Sequence, residues 1–287
     1  MVNTTNLLEV RGLFKKYKTF TLKDVSFDVP KGYITGFIGP NGAGKTTSIK
    51  AILGIISAEA GTVKMFGKEH SNVLNTGIGV VMDSPMYVDD WTVSDVEKAI
   101  APFYGNWDSG KYAGYINQFG LDKKKKVKDL SRGMKMKLQI ATALSHDAQL
   151  LILDEPTSGL DPVARDEICD ILREFVSDEN RSAFFSTHIT SDLEKTADYI
   201  IFILEGKIVY SGSKDELIEK YARAAGSISD ISSEHKKLII GYRGHSTGFE
   251  GMVETANIRK LPKSVLTEDI SLEEIIIFMN REGKESE

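Results

Sequence analysis

GPNGAGKT, residues 39–46, lies between an apolar run and the start of a predicted helix, and this arrangement indicates the class of fold. The run YITGFI, residues 33–38, predicts a short buried strand, and TSIKAILG after the loop predicts a helix that ends near Gly54. The pattern G-x-x-x-x-G-K-[ST] in this setting is typical of a phosphate-binding loop. Its glycines let successive backbone N–H groups turn inward, where the N-terminus of the helix adds partial positive charge.

The side chains at the end of this loop suit a nucleotide. Lys45 supplies a mobile cation for the β- and γ-phosphates, and the Thr46 hydroxyl is placed to reach Mg²⁺. The alternative is a tight glycine turn without a ligand, and the strand and helix on either side argue against it. The predicted nucleotide contacts are Gly39, Pro40, Asn41, Gly42, Ala43, Gly44, Lys45, Thr46 and Thr47.

A second apolar run, LLIL at residues 150–153, ends in two carboxylates, Asp154 and Glu155. We predict that Asp154 holds Mg²⁺ through water and that Glu155 polarises the attacking water in phosphoryl transfer. Strands often end in acidic residues, so this pattern alone indicates little. The phosphate loop about a hundred residues earlier is what gives it meaning.

The composition narrows the class of protein. The chain has 287 residues, of which 41% are hydrophobic and 27% charged, as expected for a globular protein. A net charge of −5 argues against a protein that coats nucleic acid. The longest apolar run, Tyr199 to Leu204, is far shorter than the ~20 residues that cross a bilayer. We therefore expect no membrane span. The start MVNTTNLLEV lacks the pattern of a secretory signal, so we expect none. The single cysteine suggests a reducing cytosol.

The order of patterns along the chain predicts an α/β fold. Residues 7–37 alternate as antiparallel strands, residues 84–147 change to helical periodicity, and LLILD and SAFFSTH return as strands around an amphipathic helix. ADYIIFILEGKIVYSG predicts a hairpin around Glu205 and Gly206. We divide the chain into a main domain, residues 1–223, and a linker with a small C-terminal region, residues 224–287. The polar stretch AAGSISDISS suggests the linker.

Four motifs in this order resemble one family. GPNGAGKTT, LSRGM, LLILDEPTSGLDP and STH are similar to the nucleotide-binding subunit of ATP-binding-cassette (ABC) transporters, over about Leu7 to Lys220. The resemblance implies a RecA-like parallel-sheet core, an antiparallel β subdomain, a helical subdomain and ATP hydrolysis with Mg²⁺. DLSRGMKMKLQIATALSHDAQLLILDEPTSGLDP and FSTHITSDLEKTADYI look most like bacterial ABC-2-type exporters of peptide antibiotics or phenol-soluble modulins.

The resemblance also assigns roles to matching residues. Tyr17 is similar to the aromatic side chain that stacks on adenine, although an ordinary strand tyrosine is the alternative. His188 resembles the switch histidine that contacts the γ-phosphate and Glu155. Ser131, Gly133 and Asp161 match residues that contact the nucleotide held by a second subunit. Ser131 is a good N-cap, and its hydroxyl with the first free N–H groups of the helix forms an anion site.

Two residues depart from the family pattern. Asp83 stands where members usually carry glutamine after the strand GIGVVM, and an ionised aspartate only accepts hydrogen bonds. We predict that Asp83 still reaches Mg²⁺, together with Thr46 and Asp154. Arg132 stands where the signature motif usually has its first glycine, and we expect its side chain to point outward.

The resemblance implies partners as well. Two cassettes, identical or different, would close around two ATP, and a transmembrane permease subunit would hold the chain at the cytoplasmic face of the membrane. Tyr87 and Trp91 are candidates to grip a helix of that permease, or else belong to the core of the helical subdomain. The rival function is a soluble ABC ATPase that acts on nucleic acid or ribosomes. The chain has one cassette, a net negative charge and no heptad run between Lys45 and Ser131. These features favour the exporter, and we expect no nucleic-acid partner.

Overall fold

A computed structural model describes residues 5–69, 77–84 and 87–285, with side chains up to residue 282. The strands are β1 (Asn6–Lys16), β2 (Thr21–Pro30), β3 (Ile34–Ile38), β4 (Ala60–Met65), β5 (Lys68–Glu69), β6 (Ile78–Val81), β7 (Leu150–Leu153), β8 (Ser182–Thr187), β9 (Tyr199–Leu204), β10 (Lys207–Ser213), β11 (Tyr221–Gly226), β12 (Ile239–His245), β13 (Gly248–Glu254) and β14 (Leu266–Glu268). The α-helices are α1 (Lys45–Ile52), α2 (Val93–Ile100), α3 (Ser109–Gln118), α4 (Arg132–Leu144), α5 (Pro162–Val176), α6 (Thr190–Thr196), α7 (Lys214–Lys220), α8 (Ser233–Lys236) and α9 (Leu272–Glu285). The chain divides into two compact units, residues 1–211 and residues 212–287.

A largely parallel sheet forms the centre of the first unit, in the order β10-β9-β3-β8-β7-β6. The strands from β9 to β6 run parallel, and every residue of β3, β7 and β8 is buried, as expected at the centre of a parallel sheet that is covered on both faces. The predicted α/β fold is confirmed. The predicted hairpin is also present, because β10 lies beside β9 and a tight turn at Glu205 and Gly206 joins them, with φ of 49° and 77°.

The antiparallel sheet has the order β2-β1-β4-β5 and packs on the parallel one. Aromatic rings join the two sheets. Phe27 of β2 lies 5.6 Å from Phe37 of β3 and 5.4 Å from Phe184 of β8, between ring centroids, and all three side chains are buried. This contact fixes the antiparallel sheet beside the carboxyl end of β3, where the phosphate loop begins.

The helical subdomain has its own apolar cluster, built from α2, α3 and α4. Val93, Val96, Tyr112 and Leu138 are fully buried within it, in agreement with the helical period seen in the sequence. The Tyr112 hydroxyl donates to the carbonyl of Val93 at 2.8 Å, which satisfies the polar end of a buried ring. The cluster makes this subdomain a separately packed layer of the first unit.

Thr92 is the N-cap of α2 in the helical subdomain. We expect Thr92→Ala to lower the free energy of unfolding of this subdomain by about 1 kcal/mol. The Thr92 hydroxyl accepts the N–H of Asp95 at 3.1 Å, and the Asp95 carboxylate accepts the N–H of Thr92 at 3.1 Å, so the substitution breaks a capping box. Both tryptophans of the chain, Trp91 and Trp107, pack on this cluster, so fluorescence during urea unfolding reports on it directly. The exposed Thr62 in β4 provides a control, Thr62→Ala. Equal midpoints for the two variants would contradict the capping role.

The second unit is a small sheet in the order β12-β13-β11-β14 with α9 packed against β12. Gly241 in β12 has φ of 63°, and a Cβ there would lie 2.4 Å from the carbonyl oxygen of Phe278 in α9. The helix therefore approaches the strand at a point where only glycine fits. Phe249, Val253 and Ala224 form the buried centre of the sheet.

The division between the units falls after Ser211, earlier than our predicted boundary after Arg223. Residues 221–226, part of which we interpreted as a linker, form β11 and pair with both β13 and β14. Ala224 is fully buried there, so small residues that suggest a loop in sequence serve close packing in the sheet. No helix among the described residues has the length and apolar character needed to cross a membrane.

Candidate nucleotide-binding site

The parallel strands bring several of the predicted site residues to one edge of the sheet. The phosphate loop follows β3, Asp83 follows β6, Asp154 and Glu155 follow β7, and His188 follows β8. Because the carboxyl ends of parallel strands meet at the same edge, loops far apart in sequence line one cleft. The cleft has a volume of about 600 Å³. It is lined by Tyr17, Thr19, Phe20, Asn41, Gly42, Gly44, Lys45, Thr46, Thr47, Asp83, Glu155, Ser158 and His188.

The phosphate loop wraps around the side chain of its own lysine. Lys45 Nζ donates to the carbonyl oxygens of Gly39 at 2.7 Å and Pro40 at 3.3 Å. Gly44 caps helix α1 with φ of 112°, and a Cβ there would meet the Phe20 ring at 2.6 Å. Glycine is thus required both by the left-handed conformation and by the close approach of the antiparallel sheet. Gly39, Pro40 and Ala43 shape the loop but are not part of the lining of the cleft.

Glu155 sits between two groups that can act on a phosphate. Its Oε1 lies 3.2 Å from Lys45 Nζ, and its Oε2 lies 2.7 Å from His188 Nδ1. Lys45 is only 6% exposed and Glu155 13%, so this ion pair is shielded from water. Glu155 also adopts φ of 51°, a left-handed conformation that side chains rarely occupy and that concentrates at functional sites. The geometry supports the predicted roles of Glu155 and His188.

Asp154 is held at the sheet edge by two hydroxyl groups. Its Oδ1 accepts from Ser186 Oγ at 2.7 Å and from Thr46 Oγ1 at 3.2 Å. Burial raises the pKa of the Asp154 carboxyl above its usual range, these two hydrogen bonds oppose the increase, and the negative charges of Glu155 and Asp83 add to it. The hydroxyl and carboxylate oxygens gathered here are the ligand type that Mg²⁺ prefers, so the donor set fits the predicted ion.

Ser186 is a site residue that our sequence analysis missed. Its hydroxyl oxygen also accepts the backbone N–H of Glu155 at 2.9 Å, so one serine orients both carboxylate residues. The signal was in the motif STH, because residues two apart on a strand point to the same side. His188 was predicted to face the site, and Ser186 two residues earlier therefore faces it as well.

Tyr17 lies at the open end of the cleft, 43% exposed, with Lys15 Nζ 5.7 Å from its ring centroid. An exposed ring beside the phosphate loop is available for a base to stack on. This placement agrees with the predicted adenine contact, which remains a prediction.

The predicted contacts for a second subunit lie outside the cleft. Ser131 caps α4, where its hydroxyl accepts the N–H of Met134 at 3.2 Å, and Asp161 caps α5, where its carboxylate accepts the N–H groups of Val163 and Ala164 at 3.0 Å each. Both capping residues are exposed. A Cβ on Gly133 would lie 3.8 Å from the Ala164 side chain, so the two caps belong to neighbouring parts of the surface.

Arg132 is exposed, as we predicted, but its guanidinium folds back onto the protein instead of extending into solvent. Its Nη2 lies 2.5 Å from Asp83 Oδ1, so the two departures from the family pattern form an ion pair within the chain. Opposite charges at this distance attract even at an exposed surface, which explains why the guanidinium folds back. Asp83 thus lines the nucleotide cleft while its carboxylate is bound to Arg132.

Tyr87 and Trp91 pack against the apolar cluster of the helical subdomain, which favours the core interpretation over a permease contact. Both rings are half-buried. Desolvation raises the pKa of Tyr87 to about 12, opposed by a hydrogen bond with Thr142. Packing in this cluster is a sufficient reason for an aromatic residue at both positions, and a contact with a permease is not needed to explain them.

The fold and the cleft define a protein of the phosphate-loop class that binds a nucleotide. Comparison with known proteins gives the family. The family model described as ABC transporter matches residues 22–158. The lantibiotic transport ATP-binding protein SrtF of Streptococcus pyogenes is 38% identical over 216 residues, covering 73% of this chain and 93% of that protein. The bacitracin transport ATP-binding protein BcrA of Enterococcus faecalis is 33% identical over 266 residues, 90% of this chain and 86% of that protein.

Solved structures agree with these relatives. A structure described as the ATP-binding subunit of an ABC transporter aligns with a TM-score of 0.66 and 27% identity, covering 74% of this chain and 91% of that one. The chain therefore belongs to the ATP-binding proteins of ABC transporters. It is an ATPase subunit, as the phosphate loop and the carboxylates at the sheet edge predict.

Proposed function

We propose that this ATPase subunit drives the export of peptide antibiotics or similar amphipathic substrates through a separate transmembrane subunit, from the cytoplasmic face of the membrane. The two relatives described above are named for lantibiotic and bacitracin transport, which supports cargo of this kind. The rival function on nucleic acid or ribosomes is not favoured, because these relatives are named as transport proteins and the chain carries a net charge of −5.

The observation that carries the proposal is the separation of the two half-sites. Lys45, Glu155 and His188 line the cleft, whereas the exposed caps at Ser131 and Asp161 lie outside it. An exposed helix N-terminus, with its partial positive charge and a serine hydroxyl at the cap, favours an anion. Two copies placed head to tail would bring each capped turn to the phosphates held by the other copy. We propose that nucleotide binding closes such a dimer, of identical or different subunits.

The residues of the cleft then divide the work of hydrolysis. When ATP binds, Lys45 pairs with the phosphates instead of with Glu155. The Glu155 carboxylate is then free to accept a proton from the attacking water. His188, 2.7 Å from Glu155, orients that carboxylate. Thr46, Asp154 and Asp83 would hold Mg²⁺, which when bound supplies positive charge to the phosphate oxygens. Dimer opening after hydrolysis would move the transmembrane subunit.

The proposed export is tested by purifying the tagged chain from detergent-solubilised membranes and identifying the polytopic protein bound to it. The reconstituted complex should hydrolyse ATP faster when a lantibiotic or bacitracin is added to the vesicles than when an unrelated soluble peptide is added. Equal rates with all peptides would contradict the proposed cargo. Binding to ribosomes instead of to a membrane protein would favour the rival function.

The role of Asp83 gives a second test, and we expect Asp83→Ala to lower kcat about tenfold or more while changing ATP affinity less. The reason is that Asp83 lines the cleft as a proposed Mg²⁺ ligand, whereas Lys45 and the loop backbone would supply most of the binding to ATP. Steady-state hydrolysis with the membrane partner present, together with fluorescent-ATP titration, separates the two effects. The exposed Asp215 in α7 provides the control Asp215→Ala. If kcat is unchanged, Asp83 only stabilises its loop.

A further inference from the structure

Helix α4 holds the loop after β6 at two neighbouring points. The buried amide of Gln139 binds the backbone of Met82 twice, accepting its N–H at 3.2 Å and donating to its carbonyl at 3.0 Å. One residue further along, the Asp83 carboxylate is bound by Arg132 at 2.5 Å. The first contact is buried and neutral, whereas the second is about half-exposed and ionic. The side chain of Asp83 can therefore be released without unpacking the helix.

The Arg132 guanidinium is also in contact with a third loop. A Cβ on Gly159 would lie 3.3 Å from Arg132 Cζ, Nε and Nη1, and Gly159 has φ of 68°. The guanidinium thus lies between the carboxylate of Asp83 and the backbone of the loop that follows Glu155. The start of α4, the loop after β6 and the loop after β7 meet at this one cation.

Asp83 faces two spaces at once. It lines the nucleotide cleft together with Lys45, Thr46 and Glu155, and it lines a smaller cavity of about 260 Å³ together with Arg132 and Gln139. When Arg132 binds the carboxylate, its charge is neutralised on the side of the smaller cavity. When Arg132 is absent, the Asp83 carboxylate adds an unneutralised negative charge near Asp154 and Glu155, and this charge disfavours bare phosphates while favouring a divalent cation.

We propose that Arg132 is a positioning residue that holds the Asp83 carboxylate away from Thr46 and Asp154, the other proposed Mg²⁺ ligands, and must release it before Asp83 can bind Mg²⁺. This inference rests on the Mg²⁺ site of the proposed function. Release also frees the first residue of α4, beside the exposed cap at Ser131. Loading of a chain's own cleft is thereby linked to the surface that would meet the second subunit.

The test measures how much Mg²⁺ strengthens nucleotide binding, as the ratio of the Kd values for a fluorescent ATP analogue in EDTA and in Mg²⁺. We expect Arg132→Ala to raise this ratio about two- to fivefold, the size of effect that an exposed ion pair supports. Asp83→Asn should lower the ratio, and the double variant should match Asp83→Asn, because Arg132 acts only through Asp83. Arg132→Lys keeps the positive charge, so its ratio should lie closer to the wild-type value than that of Arg132→Ala.

The control is Lys135→Ala, since Lys135 is another cation of α4 that lines the smaller cavity. An unchanged ratio in Arg132→Ala would overturn the inference, as would an effect of Arg132→Ala that persists in the Asp83→Asn background. An equal rise in Lys135→Ala would also overturn it, since general electrostatics would then suffice. A wild-type ratio of one would instead contradict the Mg²⁺ site itself, so the two failures are distinguishable. Circular dichroism confirms that each variant is folded.

Discussion

Glu155→Gln should keep ATP binding while lowering the rate of hydrolysis about a hundredfold or more, the size of effect typical of a lost general base. Glutamine preserves the shape of the side chain but does not accept a proton from water at neutral pH. Because Lys45 Nζ is 3.2 Å from the Glu155 carboxylate, the substitution also removes a competitor for that lysine. ATP affinity should therefore be equal to or higher than that of the wild type.

Phosphate release and fluorescent-ATP titration on the same samples test both parts of this expectation. The control is Glu216→Gln in α7, which removes an exposed carboxylate outside the cleft-lining residues. A hydrolysis rate within twofold of the wild type would show that Glu155 is not the base. Loss of ATP binding would show that the Lys45–Glu155 pair is needed to shape the loop.

The second large effect is expected at the capped turn of α4. In a Glu155→Gln background, Ser131→Arg should leave the ATP affinity of a single chain nearly unchanged and abolish the dimer that ATP would otherwise hold together. Ser131 does not line the chain's own cleft, so only a nucleotide held by a second subunit should be affected. Light scattering gives the mass of the particle, and fluorescent ATP gives the binding in the same samples.

Loss of the cap itself must be separated from loss of the interface. The Ser131 hydroxyl accepts the N–H of Met134, so Ser131→Arg also costs about 1 kcal/mol of helix stability. Ser131→Asp retains a capping oxygen but repels a phosphate, and it should abolish the dimer as well. The matched control is Ser232→Arg, since Ser232 also caps a helix, α8, with the N–H of His235 bound to its hydroxyl.

Weaker ATP binding by a single chain of Ser131→Arg would place the turn in the chain's own site. A dimer that persists in both Ser131 variants would mean that the closed interface does not use this turn. Either result would contradict the proposed head-to-tail arrangement.

Local and contiguous features were predictable from the sequence. The phosphate loop is encoded within eight residues, since the glycines and Lys45 determine its conformation together with the flanking strand and helix. The place of Asp154 and Glu155 followed from the end of a buried strand, and a parallel sheet then brings such ends together. The resemblance to ABC proteins supplied the roles that spacing alone leaves open, such as that of His188.

Features that depend on tertiary contacts were not predictable in the same way. Arg132 and Asp83 are 49 residues apart, and their ion pair exists because α4 packs beside β6. The boundary near Ser211 was missed for a related reason. Tyr221–Gly226 is rich in alanine and ends in glycine, residues with low strand propensity, and pairing with β13 and β14 overrides that preference.

Ser186 binds both Asp154 and the backbone of Glu155, so the geometry of the proposed catalytic site depends on the register between β7 and β8. Leu153 of β7 pairs with Phe185 of β8, so the next residue of each strand, Asp154 and Ser186, stand side by side. A slip of one residue between these strands would turn Ser186 to the opposite face, and both Asp154 and the backbone of Glu155 would lose their shared hydrogen-bond partner. Substitutions in the hydrophobic centre that loosen this alignment should therefore impair hydrolysis before they unfold the chain. Tolerance to mutation at Leu153 and Phe185 should be narrower than their apolar character alone suggests.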